Sequence, residues 1–491
     1  MPPTHTTAEY TVVIIGSGFG GLCAALMLRR MGISTFRIIE RRSFMGGTWC
    51  QNTYPGAAVD VQSPLYSIAS EPYDWSRMFA EQGELREYTL HVIAKHRLET
   101  MTDLDTQVEG VEWNAATTRW IIHTNTERTY SAQFVINASG PLSTPVIPSF
   151  PGIETFKGHA FHTNAWEHDV DYRHRRVAVI GSGASAAQVI PAIAPDVTEL
   201  HVFQRTPHWV LPRPDHEFSR TQRAILRNRL AYRTLRNAIY WALETRVIGF
   251  KYSHRALEGV AQRAALKHLA AQVPDDALRS QLTPSYTIGC KRILVSNTLY
   301  PTLSQPHVTL HDRTDSIERI DADGIHTLRG QHVPLDVIVW ATGYDATDGV
   351  VSYPVTGRNG ASLATFWEPY PRAYLGTAVP EFPNFFIVTG PNTGIGHTSA
   401  IFVIEAQMEY IARCIKEVTD SGRRMIEVRS DAEAAYTTKI HTDMEQTVWK
   451  SGGCTSWYQS KSGHVIAMYP GFSFSYRRQA RRFQRTDHVF S

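Results

Sequence analysis

Two glycine-rich turns lie 165 residues apart in this chain, and 24 residues after the first glycine of each comes a charged side chain. The first turn, Gly16 to Gly21, is followed by Glu40, and the second, Gly181 to Ala186, by Arg205. In a dinucleotide-binding βαβ unit this position meets the adenosine ribose. A carboxylate there accepts hydrogen bonds from free hydroxyls, whereas an arginine pairs with a 2′-phosphate. The contrast predicts two dinucleotides, FAD or NAD at the first site and NADP(H) at the second.

The residues around each turn support this interpretation. Val12 to Ile15 predicts a strand before the first turn, and Leu22 to Leu28 predicts a helix after it. The same order recurs around the second turn. Glycines let a pyrophosphate approach the N-terminus of the helix, where N–H groups are unpaired. The predicted dinucleotide contacts at the turns are Gly16, Ser17, Gly18, Phe19, Gly21 and Glu40 in the first unit, and Gly181, Ser182, Gly183, Ala184, Ser185, Ala186, Gln188, Arg205 and Thr206 in the second.

The length and the net charge limit the classes of protein to which this chain can belong. At 491 residues the chain is too long for one hydrophobic core, so two or three domains are expected. Its net charge of +3 comes from 49 basic and 46 acidic residues, a balance that does not indicate a nucleic-acid partner. No stretch reaches the roughly 20 uninterrupted apolar residues of a membrane span. The first nine residues lack the basic region of a signal peptide.

The five cysteines are widely scattered and include no CxxC pair. Neither a disulfide framework nor a thiolate metal site is therefore expected, and no metal is predicted. A reducing cytoplasm is the expected setting. Cys50 comes shortly after Glu40, but no second cysteine comes before Cys290, which argues against an enzyme that passes electrons from a flavin to a disulfide.

Each unit closes with an apolar strand that runs into a small-residue turn, Phe134 to Gly140 and Val337 to Gly343. These features predict an α/β fold with two Rossmann-like domains. The FAD domain is discontinuous, comprising 1–145 and 346–491, and the NADP domain comprises 146–345. The second unit is the longer one, and we place its extra residues in a helical insert at about 216–284.

The insert is basic, with eight Arg or Lys residues and one acid between Arg220 and Lys251. Its apolar residues recur mostly every four positions, at Leu226, Leu230, Leu235, Ile239, Leu243 and Val247. A helical lid packed on a domain is the first interpretation, and peripheral contact with an anionic membrane is the alternative. The basic run from Tyr476 to Phe483 is interpreted as a solvated final helix.

Two long motifs resemble the fingerprints of Baeyer–Villiger monooxygenases, a family of flavin enzymes. Gly46 to Asp60 matches the pattern [AG]GxWxxxx[FY]P[GM]xxxD, and Phe156 to Trp166 matches FxGxxxHxxxW. The family usually has Pro or Asp after this tryptophan, where the chain has Glu167. Related N- and S-oxygenating enzymes generally have Tyr or Phe in place of Trp166. The resemblance extends over nearly the whole chain and implies FAD and NADPH as cofactors.

The resemblance also implies roles for single residues. Lys291 would bind the NADP 2′-phosphate, while Arg292, oriented by Asp60, would stabilise the anions of catalysis. A guanidinium suits that role because it is always charged and its donors point in fixed directions. Further implied cofactor contacts are Gly47, Thr48, Trp49, Asp60, Tyr66, Val108 and Trp457, and the implied hinge residues are Phe156, Gly158, His162 and Trp166. The loop from Gly390 to His397 is expected near the flavin ring.

The predicted activity is NADPH- and O2-dependent insertion of oxygen beside a ketone carbonyl, through a C4a-peroxyflavin, to give an ester or lactone. A small ketone is the expected substrate and a sulfide the alternative. Three other functions stay open at this point: an N- or S-oxygenating flavin monooxygenase, an NADPH oxidase that releases hydrogen peroxide, and a flavoprotein that only senses nucleotide.

Overall fold

The structure, a computed structural model, describes residues 7–347 and 349–491, without the side chain of His254. The first six residues, which belong to the stretch predicted to lack a signal peptide, lie outside the described residues. Strands and helices alternate along most of the chain, and the fold is α/β as predicted.

The strands are β1 (Thr7–Ile15), β2 (Phe36–Ile39), β3 (Thr102–Asp103), β4 (Val108–Asn114), β5 (Arg119–Thr124), β6 (Thr129–Asn137), β7 (His159–His162), β8 (Arg176–Ile180), β9 (Glu199–Phe203), β10 (Val210–Leu211), β11 (Leu294–Val295), β12 (Val308–His311), β13 (Ile317–Ile320), β14 (Gly324–Thr327), β15 (His332–Pro334), β16 (Val337–Trp340), β17 (Val355–Thr356), β18 (Phe385–Ile387), β19 (Ile426–Val428) and β20 (His488–Phe490). The α-helices are α1 (Phe19–Arg30), α2 (Thr48–Gln51), α3 (Gln82–Lys95), α4 (Ala184–Ile193), α5 (Arg220–Leu226), α6 (Arg229–Glu244), α7 (His254–Ala256), α8 (Arg263–Gln272), α9 (Asp276–Gln281), α10 (Leu299–Leu303), α11 (Leu363–Phe366), α12 (Ala400–Ser421), α13 (Ser430–Met444), α14 (Val448–Ser451) and α15 (Ser473–Arg481). Two π-helical segments, Ile248–Tyr252 and Leu257–Gln262, interrupt the insert.

The first sheet has eight strands in the order β17-β4-β5-β6-β1-β2-β3, with β18 also paired to β6. Strands β3, β2, β1 and β6 run parallel, and β4 and β5 form an antiparallel addition. The central strand β1 is buried from Val12 to Ile15, and α1 follows it directly. The carboxyl ends of β1 and β2 therefore meet beside the N-terminus of α1, where a dinucleotide binds in such sheets.

The second sheet has five parallel strands in the order β12-β9-β8-β16-β7. Its central strand β8 leads through the second glycine turn into α4, which repeats the plan of the first sheet. A three-stranded antiparallel sheet, β13-β14-β15, inserts before β16. All strands of the second sheet lie between residues 159 and 340, whereas those of the first come from both sides of that range.

The stretch predicted as an insert carries α5 to α9 and lies between the paired strands β10 and β11. The predicted apolar face is wrong at Leu230, which is exposed. The helix does not run through from Leu226, because Asn228 caps a new helix by accepting hydrogen bonds from the N–H groups of Leu230 and Ala231. The buried face of α6 instead comprises Tyr232, Arg236, Ile239, Tyr240, Leu243 and Glu244.

The expectation that the cysteines do not pair is wrong for one pair, because Cys290 and Cys454 form a disulfide. The two residues are 164 positions apart in the sequence, and the bond joins the segment before β11 to the loop after α14. Cys23, Cys50 and Cys414 are free. In the part of the chain that the structure describes, no helix is long and apolar enough to cross a membrane.

Candidate active site

The first glycine turn closes around Glu40, at the end of β2. The buried carboxylate accepts hydrogen bonds from the backbone N–H and the hydroxyl of Ser17, at 3.0 and 2.7 Å, and from the N–H of Arg42. Gly18 begins α1 without a side-chain cap, which leaves the first N–H groups of the helix available to an anion. A side chain at Gly16 would clash with the Ala138 carbonyl, 2.6 Å from the added carbon.

A cavity of about 270 Å³ lies at this turn, and we name it the nucleotide cavity. Most of the residues predicted for the first dinucleotide line it: Gly16, Ser17, Gly18, Phe19, Glu40, Gly47, Thr48, Tyr66 and Val108. Trp49 lies just behind the wall, where its indole N–H donates to the Tyr66 hydroxyl at 3.1 Å. Gly21 is outside the lining; it packs so closely on Gly16 that a side chain would be 2.0 Å from the Gly16 carbonyl oxygen.

The second glycine turn is held by Ser182, whose hydroxyl donates to the Thr206 carbonyl at 2.7 Å. Gly183 begins α4, again without a side-chain cap, so Ala184, Ser185 and Ala186 form an open helix N-terminus. Gln188, one turn further on, binds the FAD-side loop instead of pointing at the turn: its amide donates to the Ala58 carbonyl and accepts from the Tyr54 hydroxyl, both at 2.8 Å.

Arg205 and Lys291 lie near each other at the end of β9. Burial and the charge of Arg205 together lower the pKa of Lys291. The Lys291 ammonium lies 5.1 Å from the ring centre of Tyr286. Among the described residues, neither cation forms a salt bridge. Two neighbouring cations without an acidic partner fit a dianionic phosphate.

Arg292 turns away from Lys291 and binds Asp60. Its Nε and Nη2 atoms donate to the two carboxylate oxygens at 2.7 and 2.6 Å, a bidentate pair. Asp60 raises the pKa of Arg292 further, so the guanidinium stays charged despite being enclosed by protein. The side chain is 43% exposed, and its accessible surface faces an internal cavity.

This central cavity has a volume of about 720 Å³ and is mainly apolar. Arg292 and Asp60 line it on one side. The predicted loop from Gly390 to His397 lines it as well, except for Asn392. Pro141, Leu142, Thr389 and Ala400 border both the central cavity and the nucleotide cavity, so the two cavities adjoin.

Trp457 lines the central cavity and is exposed, so it is not a buried structural residue. Its neighbour Tyr458 was not predicted as a site residue; it is buried at the cavity wall, and burial raises its pKa to about 12. Sequence reasoning also missed the apolar lining from the insert, including Leu243, Phe250 and Leu257. The apolar spacing of the insert includes Leu243, but it does not show which residues line the cavity, because Leu243, Phe250 and Leu257 reach it only when the insert folds back.

The second fingerprint forms the edge of the second sheet. Phe156 and Gly158 precede β7; a side chain at Gly158 would be 2.4 Å from the Asp336 carbonyl oxygen. His162 ends β7 and is buried, and burial lowers its pKa. Trp166 is buried against Phe161, with ring centres 5.0 Å apart.

Hydrogen bonds join the turn between His162 and Trp166 to the first fingerprint. The Gln51 amide donates to the Asn164 carbonyl, and the Asn164 amide donates to the Tyr344 hydroxyl at 3.1 Å. Tyr344 in turn donates to Asn52 at 3.0 Å. The two fingerprints therefore meet at the junction between the sheets.

The comparisons with known proteins agree with this geometry. A family described as pyridine nucleotide-disulphide oxidoreductase matches residues 13–259. A Baeyer-Villiger monooxygenase of Pseudomonas aeruginosa is 40% identical over 485 residues, which are 98% of this chain and 92% of that protein.

Solved structures of the same class superpose over the full length. A cyclohexanone monooxygenase from Rhodococcus sp. Phi1, bound to NADP+, has a TM-score of 0.89 and 28% identity, covering 99% of this chain and 100% of that one. OTEMO in complex with FAD and NADP has a TM-score of 0.88 and 25% identity, with the same coverage. With both fingerprints, both glycine turns and the Arg292–Asp60 pair in place, the chain belongs to the Baeyer–Villiger monooxygenases.

Proposed function

We propose that this protein is an FAD- and NADPH-dependent enzyme that uses O2 to convert a ketone into an ester or lactone. The observation that carries the proposal is the Arg292–Asp60 ion pair, which faces an apolar cavity that adjoins the nucleotide cavity. A fixed positive charge among mainly apolar walls stabilises negative charge on oxygen better than it would in water.

The residues at both turns fit the two cofactors. Glu40 can accept hydrogen bonds from ribose hydroxyls at the first turn, and the uncapped end of α1 suits the pyrophosphate of FAD. At the second turn, Arg205 and Lys291 suit the 2′-phosphate of NADPH. When bound, FAD supplies the redox chemistry that couples NADPH oxidation to oxygen activation.

The protein's own residues supply and orient a fixed positive charge. Arg292 remains protonated at any pH of interest, so it cannot supply a proton to the oxygen being transferred. Its N–H donors instead stabilise the negative charge that oxygen develops during attack on a carbonyl. Asp60 fixes the direction of those donors, and His162 and Trp166 position the NADP side of the junction.

The size and polarity of the central cavity indicate the substrate class. Its mainly apolar walls suit an apolar ketone, and its volume of about 720 Å³ leaves room for a cofactor ring beside the substrate. A sulfide of similar size is the second candidate, since it needs no further polar contact.

We also propose the cytoplasm as the setting and keep the domain boundaries at 1–145 with 346–491, and 146–345. The boundaries are supported by the division of strands between the two sheets. Three free thiols favour a reducing compartment, and the Cys290–Cys454 disulfide argues against one. We further propose peripheral membrane contact through the basic insert, supported by its exposed cations.

Incubation of the FAD-loaded protein with NADPH, ¹⁸O2 and cyclohexanone tests the activity. We expect a lactone that carries one labelled oxygen, with one NADPH consumed per product. Hydrogen peroxide in place of product would indicate an oxidase, and sulfoxide from a sulfide but no ester from any ketone would indicate an S-oxygenating enzyme. If NADPH failed to bleach the flavin without oxygen, the protein would be a nucleotide sensor.

A further inference from the structure

The fold brings the two basic runs of the sequence together around one pocket. This arginine pocket, about 910 Å³ in volume, lies between α6, α12 and α15, away from the central cavity. Its lining includes seven arginines, Arg229, Arg233, Arg236, Arg477, Arg478, Arg481 and Arg482, and one acid, Glu405.

Three of these arginines have partners that hold the helices in place. Arg236 donates to the carbonyl oxygens of Pro64, Leu65 and Ser67 at 2.8 to 3.1 Å. Arg477 and Arg481 bind Glu409, each at 2.6 Å.

The other four arginines are exposed. In residues 7–347 and 349–491, the side chains of Arg229, Arg233, Arg478 and Arg482 form no hydrogen bond or ion pair. The exposed face of α6 carries no acid, because its one acid, Glu244, is buried against His397 and Ser473. Four unpaired guanidiniums around one concave surface attract an anion.

A row of aromatic side chains leaves this pocket toward the central cavity. Trp241 lies 5.9 Å from Phe474, Phe474 lies 5.0 Å from Phe472, and Phe472 lies 6.0 Å from Tyr252, measured between ring centres. Trp241, Phe474 and Tyr252 are 56%, 41% and 58% exposed. We name Trp241, Phe474, Phe472 and Tyr252 the aromatic ridge. Exposed Ile248, four positions before Tyr252, lines the central cavity itself.

Exposed arginines beside exposed Trp, Phe and Tyr are the side chains that bind the interface of an anionic bilayer. Cations are attracted to the lipid headgroups, and aromatic rings partition to the depth of the headgroups. A soluble phosphate would need the arginines alone and would leave the aromatic ridge unexplained. We propose that the arginine pocket and the aromatic ridge dock the protein on an anionic phospholipid membrane. Docked in this way, the protein holds the edge of the central cavity at Ile248 against the lipid.

Co-sedimentation with vesicles tests this docking on the FAD-loaded protein. We expect binding to phosphatidylcholine vesicles that contain phosphatidylglycerol, little binding to pure phosphatidylcholine, and a loss of binding as salt rises. The variant R229E/R233E should weaken binding at least about 20-fold, because each cation near the surface contributes about fivefold. R229K/R233K should retain binding, since the attraction depends on charge. W241A should weaken binding to the same vesicles without changing its salt dependence.

A matched control reverses two exposed arginines of the second domain, as R173E/R175E, which changes the net charge equally and should leave binding intact. Thermal unfolding and ketone oxidation of every variant show whether it is folded. Equal binding to neutral and anionic vesicles, or equal loss in the control, would overturn the proposal. So would stabilisation of the protein by glycerol phosphate through Arg229 and Arg233 with no vesicle binding, because the pocket would then be a site for a free phosphate.

Discussion

Arg292 and Asp60 join the two halves of the active site through a bidentate ion pair with distances of 2.6 and 2.7 Å. Arg292 lies between the insert and β11, and Asp60 ends the first fingerprint. The pair fixes where the guanidinium donors point in the central cavity.

Replacement of this arginine should separate reduction from oxygenation. Arg292→Ala should lower the rate of ketone oxygenation about 100- to 1,000-fold, the usual cost of losing donors to a developing oxyanion. Flavin bleaching by NADPH without oxygen should continue at a similar rate. Arg292→Lys keeps the charge but loses the bidentate geometry, and should fall in between. Oxygenation at the original rate in Arg292→Ala would contradict the catalytic assignment.

Choice of cofactor should depend on the two unpaired cations. Arg205→Ala and Lys291→Ala should each raise the KM for NADPH roughly 10- to 100-fold, because each loses a charged hydrogen bond to the phosphate. The KM for NADH should change little. Arg173→Ala, an exposed arginine of the same domain, serves as the control in steady-state assays. Equal effects on NADH and NADPH would remove the phosphate role.

The disulfide should contribute to stability. Cys290→Ser/Cys454→Ser should lower the free energy of unfolding by about 2 to 5 kcal/mol, because the bond closes a long loop in the unfolded chain. Guanidinium denaturation with and without a thiol reductant measures this. The parent should lose stability in reductant, and the double variant should not. Cys50→Ser, which removes a free thiol, should respond to reductant as the parent does.

Stability should also fall in mild acid because of His208. Burial, with a smaller effect of Lys291, lowers its pKa from 6.5 to about 4. The unfolded chain therefore binds a proton between these pH values that the folded chain does not, so stability drops as pH falls through this window. The full shift is worth about 3 kcal/mol. Urea denaturation across the window should show a smaller drop in His208→Gln, and an unchanged drop would assign the effect to other groups.

The sequence predicts both glycine turns because local patterns carry them, whereas the Arg292–Asp60 pair is expected only from the family resemblance. Gly16, Gly47 and Gly181 have backbone conformations that strongly favour glycine, with φ of +101°, +60° and +133°. The Cys290–Cys454 bond has no such pattern, since it depends on how the loop after α14 packs against the segment before β11.

The buried face of the insert's main helix could not be predicted from local spacing either. Leu230 fits a regular apolar spacing, but Asn228 starts a new helix and turns Leu230 outward. Tertiary packing then selects a buried face that includes Arg236, which no apolar pattern includes.

Lys291 and Arg292 are consecutive residues, yet Lys291 lies near Arg205 while Arg292 lines the central cavity. Consecutive Cα atoms are only about 3.8 Å apart, so neither side chain can shift its base without moving the other. We therefore expect a phosphate bound at Lys291 to affect the position of the Arg292–Asp60 pair as well. A variant altered at Lys291 to use NADH should then lose part of its reducing equivalents as hydrogen peroxide.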